Sequence, residues 1–412
     1  MSIVERFCRY AAFNTQSSEE STSYPSTPTQ VEFNRRLREE LIAIGCQDVY
    51  LDEFGILTAT IPATAPQVPV IAWLAHVDTS PEVPCVAIKP QVVEDYQGQV
   101  LTLPGDPSQK LDPQEFPELK EVIGHTLITT DGTSLLGSDC KAGLTAIVEA
   151  AEYLLKHPEI PHGEIRLCFS VDEEVGAGTL HLNPERIGAQ VAYTLDGGGV
   201  GMIDSETFSA DLATVSITGI NTHPAHGKGH MVNALKIGAD FVARLPKTTL
   251  TPETSEGREG FLHPYSLEGT VGYTEIKIIL RDFETAALQR YAQLLESIAQ
   301  TLRAEYPRAT ISIDVRKQYR NMRDGLVKDP RALEYACQAM TSLGRTPKLT
   351  IIRGGTDGSG LTEMGLPTPN LSSAQHNIHS RLEWTSVQEI EETRDLLLAL
   401  ARVWYGHSLP QK

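Results

Sequence analysis

Apolar and polar positions follow two different rhythms along the chain, and the changes of rhythm predict two domains. In the first part, nearly continuous apolar runs alternate with segments of helical spacing, and each run suits a strand buried on both faces. Strands are predicted at 68–78, 164–174 and 191–198, and helices at 31–45 and 143–157. The polar, Pro-containing stretch 17–30 predicts a loop. This order predicts an α/β domain with a mixed sheet and helices on both of its faces.

The rhythm changes near residue 209, where a half-exposed strand, a helix, one or two strands, a long helix and another strand follow. These segments are 213–220, 232–245, 269–283, 285–306 and 309–319. Their order predicts helices on an antiparallel, ferredoxin-like sheet. The α/β pattern then returns, with helices at 329–343 and 386–405 and strands at 348–352 and 367–373. We therefore predict a discontinuous catalytic domain of residues 1–208 and 321–412, interrupted by a smaller α+β domain of residues 209–320.

Composition narrows the class of partner. The 412 residues carry a formal net charge of -18, which argues against nucleic acid or an anionic membrane as the partner. The chain lacks both a signal-peptide pattern at its N-terminus and an apolar stretch of the roughly 18 residues that span a bilayer. The six cysteines are scattered without a CxxC pair, as is typical of reduced thiols. We therefore expect a cytoplasmic protein.

Acids and histidines follow the predicted strands and form a candidate chemical site. They are His76, Asp78, Asp139, Glu173, Glu174, Asp196 and His379. Ligands of α/β sheets gather at the carboxyl ends of strands. Two histidines and three carboxylates can hold a pair of divalent metals, which leaves one carboxylate to orient a ligand and one to act as a base. The set predicts a metal-assisted hydrolase.

Several of these acids have a simpler interpretation. Asp139 could only cap helix 143–157, whereas as a ligand it would bridge two metals. Glu173 and Glu174 could form a solvated acidic turn, but three consecutive acids after a buried strand repel one another unless cations neutralise them. Because adjacent residues point in different directions, one glutamate can bind a metal while the other takes a proton from water.

The histidines leave similar alternatives open. His76 and Asp78 are two residues apart at a strand end, so Asp78 can fix the imidazole while His76 binds metal; the alternative is a solvated turn. His379 lies in an irregular polar stretch, where a lone histidine is usually exposed, and His376 competes with it for any role. Asp196 precedes three glycines, which permit close backbone approach.

The motifs that carry these residues resemble those of a known family. HVDTSPE, LLGSDCKAG, FSVDEEVGAG, TLDGGGVG and RGGTDG are similar to the motifs of the peptidase T family of tripeptide aminopeptidases. That family belongs to the two-zinc metallopeptidase superfamily, which also includes carboxypeptidase G, aminoacylase and carnosinase-type dipeptidases. The resemblance covers nearly the whole chain.

The resemblance implies a role for each site residue. One zinc ion would be held by His76, Asp139 and Asp196. The other would be held by Asp139, Glu174 and His379, so that Asp139 bridges. Asp78 would orient His76, and Glu173 would be the general base that takes a proton from the shared water and passes it to the leaving amine. Cobalt or manganese could replace zinc.

The resemblance also implies how short peptides would be bound. His223 of the inserted domain would close over the substrate as part of a lid, and Arg281 and Arg353 would anchor the peptide carboxylate. An alternative for Arg281 is a salt bridge at a strand end with Asp282 or Glu284. Relatives form dimers through this domain, and the sequence leaves open whether this chain is a monomer or a homodimer.

Two departures from the family pattern stand out. Cys140 replaces a second aspartate after the bridging Asp139, at a peptide bond that tends to be cis in the family. The run PAHGKGH adds His226 and His230 near the implied lid. The first change leaves the metal ligand itself in place. The second bears on substrate range more than on chemistry.

Three competing interpretations remain at this point. One is a related two-zinc amidohydrolase, such as a dipeptidase, a carboxypeptidase or an N-acyl amino acid deacylase. Another is a silent binding protein on the same fold, which the retention of His76, Glu173 and His379 argues against. A metal-free structural protein would leave the clustered acids uncompensated.

Overall fold

The computed structural model describes residues 1–85 and 87–408. The chain divides into two compact units. The larger unit comprises Met1–Ser205, Met322–Ile351 and the residues from Thr356 onward, and the inserted unit comprises Glu206–Asn321 with Ile352–Gly355.

The helices and strands are as follows. Helices are α1 (Ile3–Ala11), α2 (Pro28–Ile44), α3 (Ser138–Lys156), α4 (Pro184–Ile187), α5 (Ala234–Ala243), α6 (Thr285–Glu305), α7 (Arg323–Leu326), α8 (Arg331–Ser342), α9 (Asp357–Glu363) and α10 (Val387–Ser408). Strands are β1 (Gln47–Leu51), β2 (Leu57–Ile61), β3 (Ile71–His76), β4 (Gln91–Val93), β5 (Leu101–Thr102), β6 (Lys110–Leu111), β7 (Leu127–Thr129), β8 (Ile165–Ser170), β9 (Val191–Gly197), β10 (Met202–Thr207), β11 (Ser209–Thr218), β12 (Phe261–Gly269), β13 (Tyr273–Asp282), β14 (Thr310–Tyr319), β15 (Lys348–Ile352), β16 (Asn370–Ser372), β17 (Gln375–His376) and β18 (Trp384–Ser386).

A mixed eight-stranded sheet forms the centre of the larger unit, in the order β1-β2-β8-β3-β9-β16-β10-β15. The strands β8, β3, β9 and β16 run parallel, and β1, β2 and β10 pair antiparallel with their neighbours. Every residue of β3 is buried, so both faces of this strand are covered. The parallel register places the ends of β3, β8 and β9 at one edge of the sheet.

Helix α3 packs against β3 and β9 and against α10. The helix lies very near the sheet at Gly143, where a Cβ atom would lie 2.0 Å from the main-chain oxygen of Leu195. Any larger residue would push the helix away from β9. Since α3 begins beside Asp139, this close packing fixes the height of that acid over the sheet.

A second, antiparallel sheet of the larger unit has the order β17-β18-β7-β4. Strand β18 pairs with β7, so that Trp384 lies opposite Thr129. This pairing brings the segment after β17, which contains His379, close to the segment that leads from β7 into α3.

The inserted unit is a four-stranded antiparallel sheet in the order β12-β13-β11-β14 with helices α5 and α6 packed on it. Alternate residues of β11 and β13 are buried, which is the pattern of a sheet covered on one face. The core beneath the helices includes Val215, Ile217, Ile276 and Leu295. The predicted β-α-β-β-α-β order and the mixed α/β fold class are confirmed.

The structure differs from the predicted segments in a few places. Helix α2 begins at Pro28 rather than at residue 31, because proline suits the first turn of a helix. Helix α1 was not predicted. Strand β12 ends at Gly269, where the predicted strand segment 269–283 begins. Pro264 and the register shift that follows it interrupt the alternating pattern of this strand. No helix among the described residues has the length and apolar character needed to cross a membrane.

Candidate metal centre

Strand ends bring the predicted acids and histidines together. His76 is the last residue of β3 and lies opposite Ser170, the last residue of β8. Leu74 pairs with Thr194, so Asp196 lies level with His76 on the neighbouring strand. The loop after β8 carries Glu173 and Glu174, and the segment after β17 carries His379.

The imidazole of His76 faces carboxylates on both sides. Its Nε2 atom lies 3.0 Å from Oδ1 of Asp139 and 3.6 Å from Oδ1 of Asp196. Its Nδ1 atom lies 3.0 Å from the main-chain oxygen of Asp78 and 3.5 Å from that residue's Oδ1. The contact with Asp78 fixes the ring, so that Nε2 points at the two acids.

Asp139 lies between the two histidines. One of its oxygens faces His76, and the other, Oδ2, lies 3.2 Å from Nε2 of His379. The same nitrogen of His379 lies 2.9 Å from Oε2 of Glu174. Asp139 has non-helical backbone angles near the start of α3, and both oxygens of its carboxylate face histidine nitrogens. The arrangement therefore favours a bridging ligand over a helix cap.

The carboxylate of Asp78 has a second task that the sequence did not reveal. Its Oδ1 and Oδ2 accept hydrogen bonds of 3.1 Å from the main-chain N–H groups of Glu173 and Glu174, respectively. Asp78 is completely buried. One side chain thus ties the His76 strand end to both glutamates, and its removal would disturb the base and the ligand together.

Three acids of the centre have raised pKa values, whereas contacts with His379 and His76 outweigh burial and lower the pKa of Asp139. Burial, followed by the charge of Asp139, raises the pKa of Glu174 to about 8 and that of Asp196 to about 7. Burial also raises the pKa of Glu173 well above its ordinary value. Oε1 of Glu174 is buried without a hydrogen-bond partner among the described residues. Carboxylates in this state are stabilised when a cation joins them.

The pKa of His379 also reflects the negative charge of the neighbouring acids. Burial opposes the charged form of His379, but its contacts with Asp139 and Glu174 outweigh burial and raise its pKa to about 11. Ligand atoms of His76, Asp139 and Glu174 all lie within 4.8 Å of one another. Mixed imidazole and carboxylate donors at this spacing fit a divalent metal.

Cys140 also lies close to His76 and Asp196. Its Sγ donates a hydrogen bond to the main-chain oxygen of Leu195, and burial raises the pKa of the thiol well above its ordinary value. A metal ligand must be a thiolate, so this cysteine is better suited as a buried thiol. The peptide bond between Asp139 and Cys140 is cis.

The residues predicted to bind substrate lie in the inserted unit. His223 is exposed, and its Nδ1 accepts a hydrogen bond from the N–H of Ala225. Arg281 donates from Nη1 to the main-chain oxygen of Arg353, while its Nε is buried without a partner among the described residues.

Arg353 is more fully occupied. Its guanidinium donates to the oxygens of Ser255, Gly257 and Glu259 and lies over the rings of Phe208 and Phe261, at 5.2 and 5.7 Å. This set of contacts suits a structural role. The role of both arginines in substrate binding stays a prediction.

Residues that the sequence analysis missed surround the centre. Glu383 is buried and accepts hydrogen bonds from the N–H groups of Leu136, Gly137 and Asp139 and from the hydroxyl of Ser138. The sequence signal for Glu383 is that an acid stands between two large apolar residues, Leu382 and Trp384, where burial is expected.

Two further buried groups were also missed. Asp357 accepts a 2.5 Å hydrogen bond from Ser170, the last residue of β8. Lys141 is fully buried, donates to the main-chain oxygen of Phe13, and has its pKa lowered by burial to about 8.

Known proteins with similar sequences and folds include peptidases. The family model described as the peptidase dimerisation domain matches residues 205–310. Peptidase T of Geobacillus kaustophilus is 43% identical over 403 residues, which is 98% of each chain, and peptidase T of Shewanella pealeana is 42% identical over 98% of this chain and 99% of that protein.

Solved structures point the same way. The aminopeptidase PepT from Bacillus cereus covers 98% of each chain with 25% identity and a TM-score of 0.76. A Bacillus subtilis protein described as a dinuclear metal binding peptidase from the M20 family shares the fold, with 15% identity over 97% of this chain and 96% of that one and a TM-score of 0.65. The identity and the coverage of the first two relatives show that this chain belongs to the peptidase T family.

Proposed function

We propose that this chain releases the N-terminal residue of tripeptides with two metal ions held by His76, Asp139, Glu174, Asp196 and His379. Membership of the family confirms the predicted class of enzyme, a metal-dependent tripeptide aminopeptidase. The observation that carries the assignment of ligands is Asp139, whose two oxygens face one histidine each. The unpartnered Oε1 of the buried Glu174 supports it.

We assign zinc to the centre because two imidazoles and three carboxylates suit it, although cobalt or manganese could take its place. Zinc ions bound by this set would lower the pKa of water and polarise the scissile carbonyl. Asp78 prepares the site by fixing the ring of His76 and the backbone of Glu173 and Glu174.

Glu173 is the proposed general base. Its backbone is held by Asp78, and its raised pKa means that the carboxylate binds a proton more firmly than an exposed glutamate does. Such a group can take a proton from the attacking water and return it to the leaving amine. Adjacent Glu174 faces His379 instead, so the two glutamates divide the tasks of base and ligand.

The ends of the peptide would be recognised by separate groups. We propose Arg281 as the main anchor of the C-terminal carboxylate, because its Nε has no hydrogen-bond partner in the described part of the chain, whereas the guanidinium of Arg353 is occupied. His223 is proposed to polarise the substrate carbonyl. The match to a dimerisation domain supports a homodimer formed through the inserted unit. The six free cysteines agree with a cytoplasmic protein.

The test is a Glu173→Gln variant compared with the wild type, both loaded with zinc. Loss of a general base should lower kcat on a tripeptide by about 10²- to 10⁴-fold, while the metal content measured by mass spectrometry stays at two ions per chain. An active variant would exclude Glu173 as the base. A matched panel of a dipeptide, a tripeptide, a tetrapeptide, an N-acetylated tripeptide and a C-amidated tripeptide tests the substrate class. Preference for the dipeptide or the acylated peptide would assign the chain to another amidohydrolase.

A further inference from the structure

The loop that carries the two glutamates begins at a residue with an unusual backbone. Asp172 has a φ of 59°, in the left-handed region that few residues other than glycine adopt, and it directly precedes Glu173. The N–H of Ala177 donates to the main-chain oxygen of Asp172, and the N–H of Gly176 donates to that of Glu173. Asp172 is therefore the residue at which this short loop closes. Its φ and ψ angles set the direction of the chain at Glu173.

Gln30 of helix α2 makes two hydrogen bonds with Asp172. Oε1 of Gln30 accepts a 2.9 Å hydrogen bond from the N–H of Asp172, and Nε2 of Gln30 donates a 2.7 Å hydrogen bond to Oδ1 of Asp172. Gln30 is completely buried, and Asp172 is 1% exposed. Hydrogen bonds to both the main chain and the side chain of one residue fix its conformation, whereas a single hydrogen bond would leave it free to turn.

The segment before α2 completes this network. Ser26 donates to Asp172 from its main-chain N–H and from its hydroxyl, and Nε2 of Gln30 also lies 3.1 Å from Oγ1 of Thr27. The amide of Gln30 is thus oriented by its own helix, with its oxygen towards the backbone of Asp172 and its nitrogen towards the carboxylate. Only a side chain with one donor and one acceptor satisfies both ends.

We infer that Gln30 is a positioning residue for the catalytic base: it holds Asp172 in the left-handed conformation and thereby aims Glu173. The inference rests on the proposed role of Glu173. Asp78 accepts hydrogen bonds from the N–H groups of Glu173 and Glu174, and Gln30 accepts one from the N–H of the preceding residue, Asp172. If the hydrogen bonds on either side are broken, the chain can turn at Asp172 and the base moves away from its working position.

The test uses a pair of reciprocal substitutions. Gln30→Glu keeps the shape and the acceptor but places a carboxylate against that of Asp172, so we expect kcat on a tripeptide to fall about 10- to 100-fold with KM within about twofold and metal content unchanged. In the double variant Gln30→Glu, Asp172→Asn, the donor and acceptor exchange sides and Ser26 can turn its hydroxyl to accept. We expect this variant to recover most of kcat.

Asn34→Ala is the matched control for general destabilisation. Asn34 lies one turn further along α2, is also completely buried, and donates at 2.8 Å to the main-chain oxygen of Gly55. It should lower the melting temperature without a comparable loss of kcat. An unchanged kcat in Gln30→Glu, a double variant no better than Gln30→Glu, or an equal loss of kcat in Asn34→Ala would each overturn the inference.

Amide hydrogen exchange of residues 172–177 separates this inference from the proposed function. We expect faster exchange of this loop in Gln30→Glu and near-wild-type exchange in the double variant, whether or not the protein cleaves tripeptides. If Glu173→Gln were active but the exchange followed this pattern, the assigned base would be wrong and the role of Gln30 in holding the loop would stand. Unchanged exchange in Gln30→Glu would remove the positioning role itself.

Discussion

Two groups of acids in the larger unit, one partly buried and one buried, have different partners for their negative charge. In the first, Arg6 is 2% exposed and its guanidinium contacts Glu40, Glu149 and Glu152, so that a cation of the chain itself neutralises the acids and ties α1, α2 and α3 together. In the metal centre the partners of the acids are two imidazoles, and Oε1 of Glu174 is buried without a partner among the described residues.

The pKa values show what this difference means. Burial opposes the charged form of Glu152, but hydrogen bonds from Lys156 and Arg6 outweigh burial and lower its pKa to about 2. In the metal centre, burial and the charge of Asp139 raise the pKa of Glu174 to about 8. The lowered pKa of Glu152 indicates a completed structural ion pair, whereas the raised pKa values of Glu174 and Asp196 beside histidines indicate a site that bound cations would stabilise.

The strongest test of this contrast is His76→Ala. The substitution removes a ring that faces Asp78, Asp139 and Asp196, so we expect loss of bound zinc and of all measurable turnover. In the wild type, zinc at 1,000 times its dissociation constant should add about 4 kcal/mol to the free energy of unfolding. Calorimetry with and without zinc checks this, and a His76→Ala protein that zinc still stabilises fully would contradict the ligand role.

Arg6→Met should produce the opposite pattern. Removal of the guanidinium takes away the cation that three partly buried carboxylates share, although Glu40 keeps Arg9 and Glu152 keeps Lys156. We expect a loss of about 3 kcal/mol of stability. The stabilisation by zinc and the metal content should match those of the wild type, because the acids that Arg6 contacts are not among the predicted metal ligands. Arg9→Met is the matched control: Arg9 is 49% exposed at the side chain and should cost less than about 1 kcal/mol.

The contrast also explains which part of the site could be predicted from the sequence. His76, Glu174 and Asp196 stand at or just after the ends of apolar strands, so local pattern and the geometry of parallel sheets were enough to place them together. The fold class followed from the same periodicity. His379 could not be separated from His376 by pattern, because both lie in the irregular segment around β17.

The supporting residues depend on contacts between distant parts of the chain. Glu383 reaches Asp139 across 244 positions, and Gln30 reaches Asp172 across 142. Gln30 even lay in a stretch that its polar composition predicted as a loop, whereas it is in the first turn of α2. A buried polar side chain gives no local signal of its partner, and this is why the sequence predicted the candidate metal ligands but not the residues that hold them.

Glu383→Gln should have a smaller effect on zinc binding and turnover than His76→Ala. The carboxylate accepts hydrogen bonds from three N–H groups and one hydroxyl. In the glutamine variant, an amide nitrogen replaces one oxygen, and it cannot accept a hydrogen bond from these donors. The segment that positions Asp139 would shift, so we expect zinc affinity and kcat to fall by about 10- to 100-fold. His376→Phe is the control, since His376 stacks on Trp384 and hydrogen-bonds Glu389. Weaker zinc binding in the control alone would exchange the roles assigned to His376 and His379.

The smallest expected effect is the pH dependence of the Arg6 group, measured on zinc-free protein. The pKa of Glu152 is lowered from its ordinary value to about 2, so its ion pairs stabilise the folded state above about pH 4.5 and lose this effect as the pH falls towards 2. Because the Glu152 side chain is 20% exposed, solvent screening limits the contribution to about 1 kcal/mol.

The comparison is between Glu152→Gln and the wild type in urea unfolding at several pH values. The difference in the free energy of unfolding should be largest near neutral pH and shrink as the pH falls from about 4.5 towards 2, because Glu152 is protonated first in the unfolded chain and only near pH 2 in the folded protein. A difference that stays constant down to about pH 3 would mean that Glu152 acts through packing and not through its charge. The group around Arg6 would then be no electrostatic counterpart of the metal centre, and the lowered pKa of Glu152 would no longer indicate a completed ion pair.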